Sequence, residues 1–423
     1  MKSFLLISFI CLSTVLCASS TKEDIKATHD RIYTLLSSNP DLALKLSQES
    51  EIKAHNADLI VEEANSIYIQ AWILKKKKFE PGKSFILYLK ALDLLKPVYR
   101  DYEEGLNIYL DLLVSVGNIL IEHHALDEAR VYYEESLSVS LENNLPKDVS
   151  MSYRRIATLT KDQGNINQAL GFIEKSVYHA RVSKDEKSLI MSLNSKGLLE
   201  LEAGLYAPAR RTYRQILEFD YSDKDFGNTY IGKAWHNIGF SYDLEENYAA
   251  AILAYRNAED IKRKYGTERD WFITLKDISE TYFKTENMEM SEQYALRALE
   301  HYDKVQLKLE NYELYEQLAS IYFTKGDYVK SREYTEKFLD ENDKFIKMQE
   351  KIQRTKDQYK MEILAAGFFA ESNSKQTTSM YSMLLSVMSG ALTLTILGGL
   401  FWQHYTKRNI RKALQDIEKN SFV

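Results

Sequence analysis

Six small residues recur along the chain at nearly constant spacing: Gly117, Ala157, Gly197, Gly239, Ser279 and Ala319, with steps of 40, 40, 42, 40 and 40 residues. Twelve residues after each comes another small one: Ala129, Ala169, Ala209, Ala251, Ser291 and Ser331. Four positions further, the first four units place a bulky residue: Tyr133, Ile173, Tyr213 and Tyr255. Self-similarity at a period of this size marks a stacked array, in which each unit buries its apolar face only against its neighbours. A chain in this register has no single centre to fold around.

The units read as pairs of helices. Glycine (16 of 423 residues) and proline (5) are too sparse for a turn-rich β fold. A small residue on the first helix of a pair lets the second approach closely, and a small residue on the second returns the fit. The turns between them contain "DQGN" (162–165), "EAGL" (202–205), "EENY" (245–248) and "TKGD" (324–327). Gly164, Gly204 and Gly326 suit left-handed helix caps there. The expected fold is all-α.

The pattern resembles the tetratricopeptide repeat family. Trp235, Ile238, Gly239, Tyr242, Ala251, Tyr255 and Ala258 match the family motif residue by residue. The resemblance covers about residues 105–340. It departs from the family in its longer period and in lacking the proline common at the repeat end. It implies a helix-pair solenoid wound as a right-handed superhelix, whose groove binds a protein or peptide ligand. Residues 22–104 read as worn units of the same kind. "DRIYTLLSSNPDLALKLSQES" (30–50) is an N-terminal one, and "WILKKKKFEPGKSFILYLKALDLL" (72–95) is a unit with an insertion around Pro81–Gly82. Beyond 340, residues 341–379 read as a long helix and a polar linker. Phe345, Met348, Ile352, Tyr359 and Ile363 form an apolar stripe on it, compatible with a coiled coil or with packing on the array.

The chain ends carry a different signal. Residues 1–18 have the lysine, apolar run and small residues of a signal peptide cut near Ala18, or of an uncleaved anchor. Both cysteines, Cys11 and Cys17, lie there, which leaves no thiol chemistry downstream. Met380–Trp402 is uncharged and apolar, long enough at about 1.5 Å per residue to span the ~30 Å hydrocarbon core of a bilayer and meet membrane lipid. Lys407, Arg408, Arg411 and Lys412 follow it. The positive-inside rule then places the short tail 403–423 in the cytoplasm and the repeats outside, as in a single-pass protein of the cell (inner) membrane with a periplasmic array. Ser382, Ser386 and Gly390, spaced by four, offer a small-residue face on which two membrane helices could pair as a homodimer.

No chemistry-bearing motif stands out. The eight histidines are scattered, and the adjacent His123 and His124 point to different helix faces. Phosphate loops, dinucleotide fingerprints and nucleophile elbows are missing from the sequence. We therefore expect no enzyme, no cofactor and no metal site. The formal net charge of −6 gives no argument for nucleic acid. Counting from the anchors, the groove should carry a polar column of Arg154, Asn194, His236 and Lys276 beside Leu198 and Phe240. By family resemblance, such a column binds acidic peptide ends. The expected function is an exported, membrane-anchored scaffold for a protein or peptide partner. The alternative is the sensor portion of a signalling receptor, for whose kinase, cyclase or DNA-binding output the tail is too short.

Overall fold

The structure is a computed structural model that describes residues 20–77, 80–302 and 312–372. Residues 1–18, the apolar stretch 380–402 with Ser382, Ser386 and Gly390, and the basic segment 403–423 lie outside the described residues. The chain divides into two units, Met1–Ile363 and Leu364–Val423. The first unit holds the repeats; of the second, residues 364–372 continue the last helix.

Among the described residues there is no strand. These described residues form sixteen α-helices, in order α1 (20–35), α2 (Pro40–Asn56), α3 (Ile60–Lys76), α4 (Pro81–Leu95), α5 (Glu103–Glu122), α6 (Leu126–Glu142), α7 (Pro146–Asp162) and α8 (Ile166–Ser183). Then come α9 (Glu186–Glu202), α10 (Tyr206–Leu217), α11 (Lys224–Leu244), α12 (Tyr248–Tyr265), α13 (Glu268–Lys284), α14 (Met288–Tyr302), α15 (Tyr312–Thr324) and α16 (Tyr328–Ser372). From α2 to α15 each helix packs on the next, and first helices of successive pairs also touch, α7 on α9 and α9 on α11. This is the helix-pair solenoid that the period predicts. Pro81 opens α4, where a missing N–H costs nothing. Helix α5 is long and apolar enough to cross a membrane by itself, but Leu112, Leu113, Val116, Ile119 and Leu120 are buried in the core of the array.

The anchors sit on first helices and their partners on second helices, and all twelve are buried. Ring size on the second helix varies inversely with anchor size. A Cβ placed on Gly117 would lie 2.5 Å from the Tyr133 ring, on Gly197 2.5 Å from Tyr213, and on Gly239 2.7 Å from Tyr255. Where the anchor has a side chain, the partner shrinks: Ala157 faces Ile173 in one cluster, and Ser279 stands in a unit whose equivalent of Tyr255 is Ala295. Two of these rings have paired hydroxyls: Tyr133 donates to Asn118 Oδ1 at 2.8 Å, and Tyr213 accepts from Asn237 at 3.1 Å.

The turn geometry repeats as strictly. The seventh residue after each anchor has positive φ: His124 (58°), Gly164 (84°), Gly204 (72°), Glu246 (60°), Glu286 (59°) and Gly326 (79°). Glycine occupies three of these six positions, and the left-handed region costs other L-residues roughly 1–2 kcal/mol. Glu286 is exposed. Glu286→Gly is therefore expected to stabilise the array by about 0.5–1 kcal/mol, after the glycine's greater freedom in the unfolded chain is subtracted. A urea midpoint that falls instead of rising would contradict this.

Candidate binding groove

The residue that follows each anchor is exposed in five of the six units: Thr158, Leu198, Phe240, Glu280 and Ser320. These positions lie on the first helices and define one face of the array. Along this face Leu198, Leu201, Glu202, His236, Asn237, Phe240, Leu244 and Asp277 enclose a cleft of about 490 Å³ between α9, α11 and α13. Its rim is apolar and accessible: Leu198 is 42 % exposed, Phe240 41 % and Leu244 42 %. A second cleft follows on α13 and α15, lined by Lys276, Glu280, Phe283, Glu313 and Glu316 among others. A third, of about 520 Å³, shares Phe283 and Glu316 and ends at Phe323 and Phe338.

The six sequence-derived positions fare differently. Leu198, His236 and Phe240 meet in the first cleft, while Lys276 lines the second. Arg154 on α7 and Asn194 on α9 line neither, but among the described residues they keep unpaired polar heads. Burial and the adjacent Arg155 pull the Arg154 pKa down from its ordinary value. The column is not uniformly open. Lys276 is held by Glu313 (Nζ–Oε2 2.7 Å), and this partner raises its pKa against the opposing effect of burial. His236 is turned into the array, its ring tilted against Tyr255 with 5.3 Å between centroids. Neither presents a free cation, because the next repeat supplies each with a partner.

Below the rim lies a polar chain that the period did not reveal. Thr274 Oγ1 donates to the Asp270 carbonyl at 2.9 Å, which uses its only proton. It accepts from Lys262 Nζ at 3.0 Å, and His236 Nδ1 stands 3.2 Å away. That contact is a hydrogen bond only if Nδ1 carries the proton. His236 Nε2 then faces Asp277 Oδ2 at 3.3 Å. The His236–Asp277 contact therefore needs one proton, on the carboxyl or on the imidazole. Burial pushes the Asp277 carboxyl up to about 7, an effect that Lys276 opposes and Glu280 reinforces. Burial, with Lys262 nearby, also holds His236 well below the usual histidine range. Lys262 itself is brought down to about 8 by burial. Sequence reasoning missed Asp277 and Lys262. The available hint was the run of Lys276, Asp277 and Glu280 on a helix turned toward the groove.

Among the described residues no three histidine, cysteine or carboxylate side chains converge as a metal site would require. The fold and the clefts together define a helix-pair repeat protein with ligand-sized depressions along its first helices. The family model described as tetratricopeptide repeat matches residues 232–265 and 312–345, and the chain carries repeats of this type. The first match spans the second half of α11 and all of α12, with Gly239 and Tyr255. In fold the chain is similar to the apo form of RapI (TM-score 0.51, 16 % identity, covering 66 % of this chain and 74 % of that one). It is also similar to a signal transduction ATPase with a tetratricopeptide repeat sensor from Pyrococcus horikoshii (TM-score 0.52, 18 % identity, 79 % of this chain). It spans 55 % of that protein's length. At such identities the likeness is one of fold. No curated protein matches the chain by sequence.

Proposed function

We propose that this protein is a binding module: its repeat array holds an extended segment of a protein or peptide partner along the first helices. The observation that carries this is the accessible apolar rim of Leu198, Phe240 and Leu244 around a cleft of about 490 Å³, continued by two further clefts on the same face. An apolar depression with a few polar groups at its floor is the ordinary form of a ligand site. Phe240 and Leu198 would be its anchors, and Arg154 and Asn194 its polar contacts. In the same reading, residues 1–18 export the array and Met380–Trp402 anchors it in the cell membrane, with the C-terminal side in the cytoplasm and Ser382, Ser386 and Gly390 pairing two copies. A sensor role for the array is the second reading. It draws support from the Pyrococcus horikoshii protein, whose repeats are described as a sensor.

Photo-crosslinking of the full chain in native membranes, followed by purification, tests the groove. A double variant Leu198→Ala, Phe240→Ala is expected to lose its crosslinked partner by about tenfold or more, since removing two half-buried anchors forfeits roughly 1–2 kcal/mol each. Unchanged yields from a variant with intact helical signal would refute the groove. Protease accessibility of the array in intact cells tests the topology: shielding from added protease until the inner membrane is breached would place it in the cytoplasm.

A further inference from the structure

The polar column suggested by the period was basic, yet the groove from α11 to α15 carries an acidic excess. Asp243, Asp277, Glu280, Glu313 and Glu316 stand there against Lys262, Lys276 and Lys284. Lys276 and Lys284 are committed: Lys276 to Glu313 at 2.7 Å, and Lys284 to Asp243 at 2.6 Å and to Glu280 at 3.2 Å. Glu316 has no ion-pair partner among the described residues. Asp277, at the cleft floor, meets His236, whose Nδ1 is occupied with Thr274.

We infer that the cleft floored by Asp277 seats a lysine or arginine side chain of the partner segment and that seating it expels the proton shared by Asp277 and His236. The inference rests on the groove reading above and adds the ligand chemistry. The aliphatic stem of the cation lies on Leu198, Phe240 and Leu244, as long basic side chains lie on apolar surface with their heads in polar surroundings. Its head meets the Asp277 carboxylate, with Glu280 beside it on α13. The balance is simple. The pair enters holding one proton, the cation brings one positive charge, and the proton leaves to solvent, so the site ends as carboxylate, neutral imidazole and ligand cation.

The groups around Asp277 set this balance: Glu202 on α9 lines the same cleft, with His236 and Asp243 on α11, Tyr255 and Lys262 on α12, Lys276 and Glu280 on α13, and Glu313 on α15 through Lys276. Burial makes the lone carboxylate costly and raises its pKa to about 7. A cation placed against it removes that cost. An acidic segment would instead stand against Glu280 and Glu316, and Lys276, which lines the second cleft, is already paired with Glu313.

The test is calorimetry on the full chain in detergent. The probes are three blocked pentapeptides, Leu-Lys-Leu-Lys-Leu and its glutamine and glutamate counterparts, each measured near neutral pH in two buffers of different ionisation enthalpy. The lysine peptide is expected to bind about tenfold or more tighter than the glutamine peptide, because an ammonium makes a stronger, charge-assisted hydrogen bond to the carboxylate than a neutral amide does. The difference in heat between buffers should report proton release of up to about one per peptide. Asp277→Asn should abolish both effects. Glu280→Gln, on an exposed side chain, should weaken binding while keeping proton release, and it serves should the first variant misfold. Failure of the lysine peptide to bind, binding of the glutamine or glutamate peptide as tightly, or lysine binding without proton release would each overturn the inference. Equal binding of all three that is lost in Leu198→Ala, Phe240→Ala leaves the groove standing and removes only its charge preference. Lysine binding that ignores those two substitutions removes the groove reading as well.

Discussion

Tyr255→Ala is expected to destabilise the array by about 3–5 kcal/mol, and Gly239→Ala by about 1–3 kcal/mol. The second figure has the opposite sign to the helix-propensity effect, since alanine in an open helix is favoured over glycine by roughly 0.8–1 kcal/mol. The reason is contact. The Tyr255 ring is 1 % exposed and fills the space where a Gly239 Cβ would stand, 2.7 Å from Cδ1. Tyr255 is enclosed by core on both sides of its repeat, so its ring cannot withdraw without moving a helix. The double variant should cost clearly less than the sum, because alanine at 239 then faces a cavity instead of a ring. Urea unfolding of the four proteins measures the cycle. Strict additivity would show that the small anchor has another purpose.

The second large effect is a stability that changes with pH. Asp277 has a folded-state pKa of about 7, above its ordinary 3.8. Its contribution to stability is therefore fully present below pH ~4 and is lost as pH rises through about 7. Lys262 is depressed from 10.5 to about 8, so its contribution is present above pH ~10.5 and is lost as pH falls through about 8. Near neutral pH the two buried groups are both at a disadvantage. Asp277→Asn, which mimics the protonated acid and can donate to His236 Nε2, is expected to stabilise by about 1–3 kcal/mol above pH 7 and to gain nothing below pH 4. Lys262→Met is expected to stabilise by a similar amount below pH 8, because burial outweighs what its ammonium gains from the Thr274 hydroxyl and from the Asp270 and Asp277 carboxylates nearby. Denaturant midpoints between pH 5 and 9 check both. If the wild type and Asp277→Asn ran parallel across that range, the carboxyl would not be titrating there.

Much of the array is legible in the sequence alone. Gly117, Gly197 and Gly239 announce close helix approach because no other residue leaves room for Tyr133, Tyr213 and Tyr255, and a constraint that absolute leaves a visible period. The turn at each anchor plus seven is half legible. Gly164, Gly204 and Gly326 mark it, whereas His124, Glu246 and Glu286 hide the same left-handed geometry behind ordinary side chains, held there by the helices on either side. Leu198 and Phe240 could be placed on the groove face by counting alone, since backbone register decides which way a residue on a helix points.

The state of the polar side chains could not be counted. His236 reads as a free head in the column, yet its ring finds Thr274 and Asp277, 38 and 41 residues away, and Lys276 finds Glu313, 37 residues on. Long side chains search several ångströms of space, and their partners come from the next repeat, whose surface residues follow no strict period. Register along a helix is local and strict, so the sequence by itself determined the repeat, the helix pairs and the face that looks into the groove. Electrostatic partnership is non-local and depends on burial. Only the tertiary structure decided that Lys276 is neutralised within this face and that the face turns acidic from Asp277 onward.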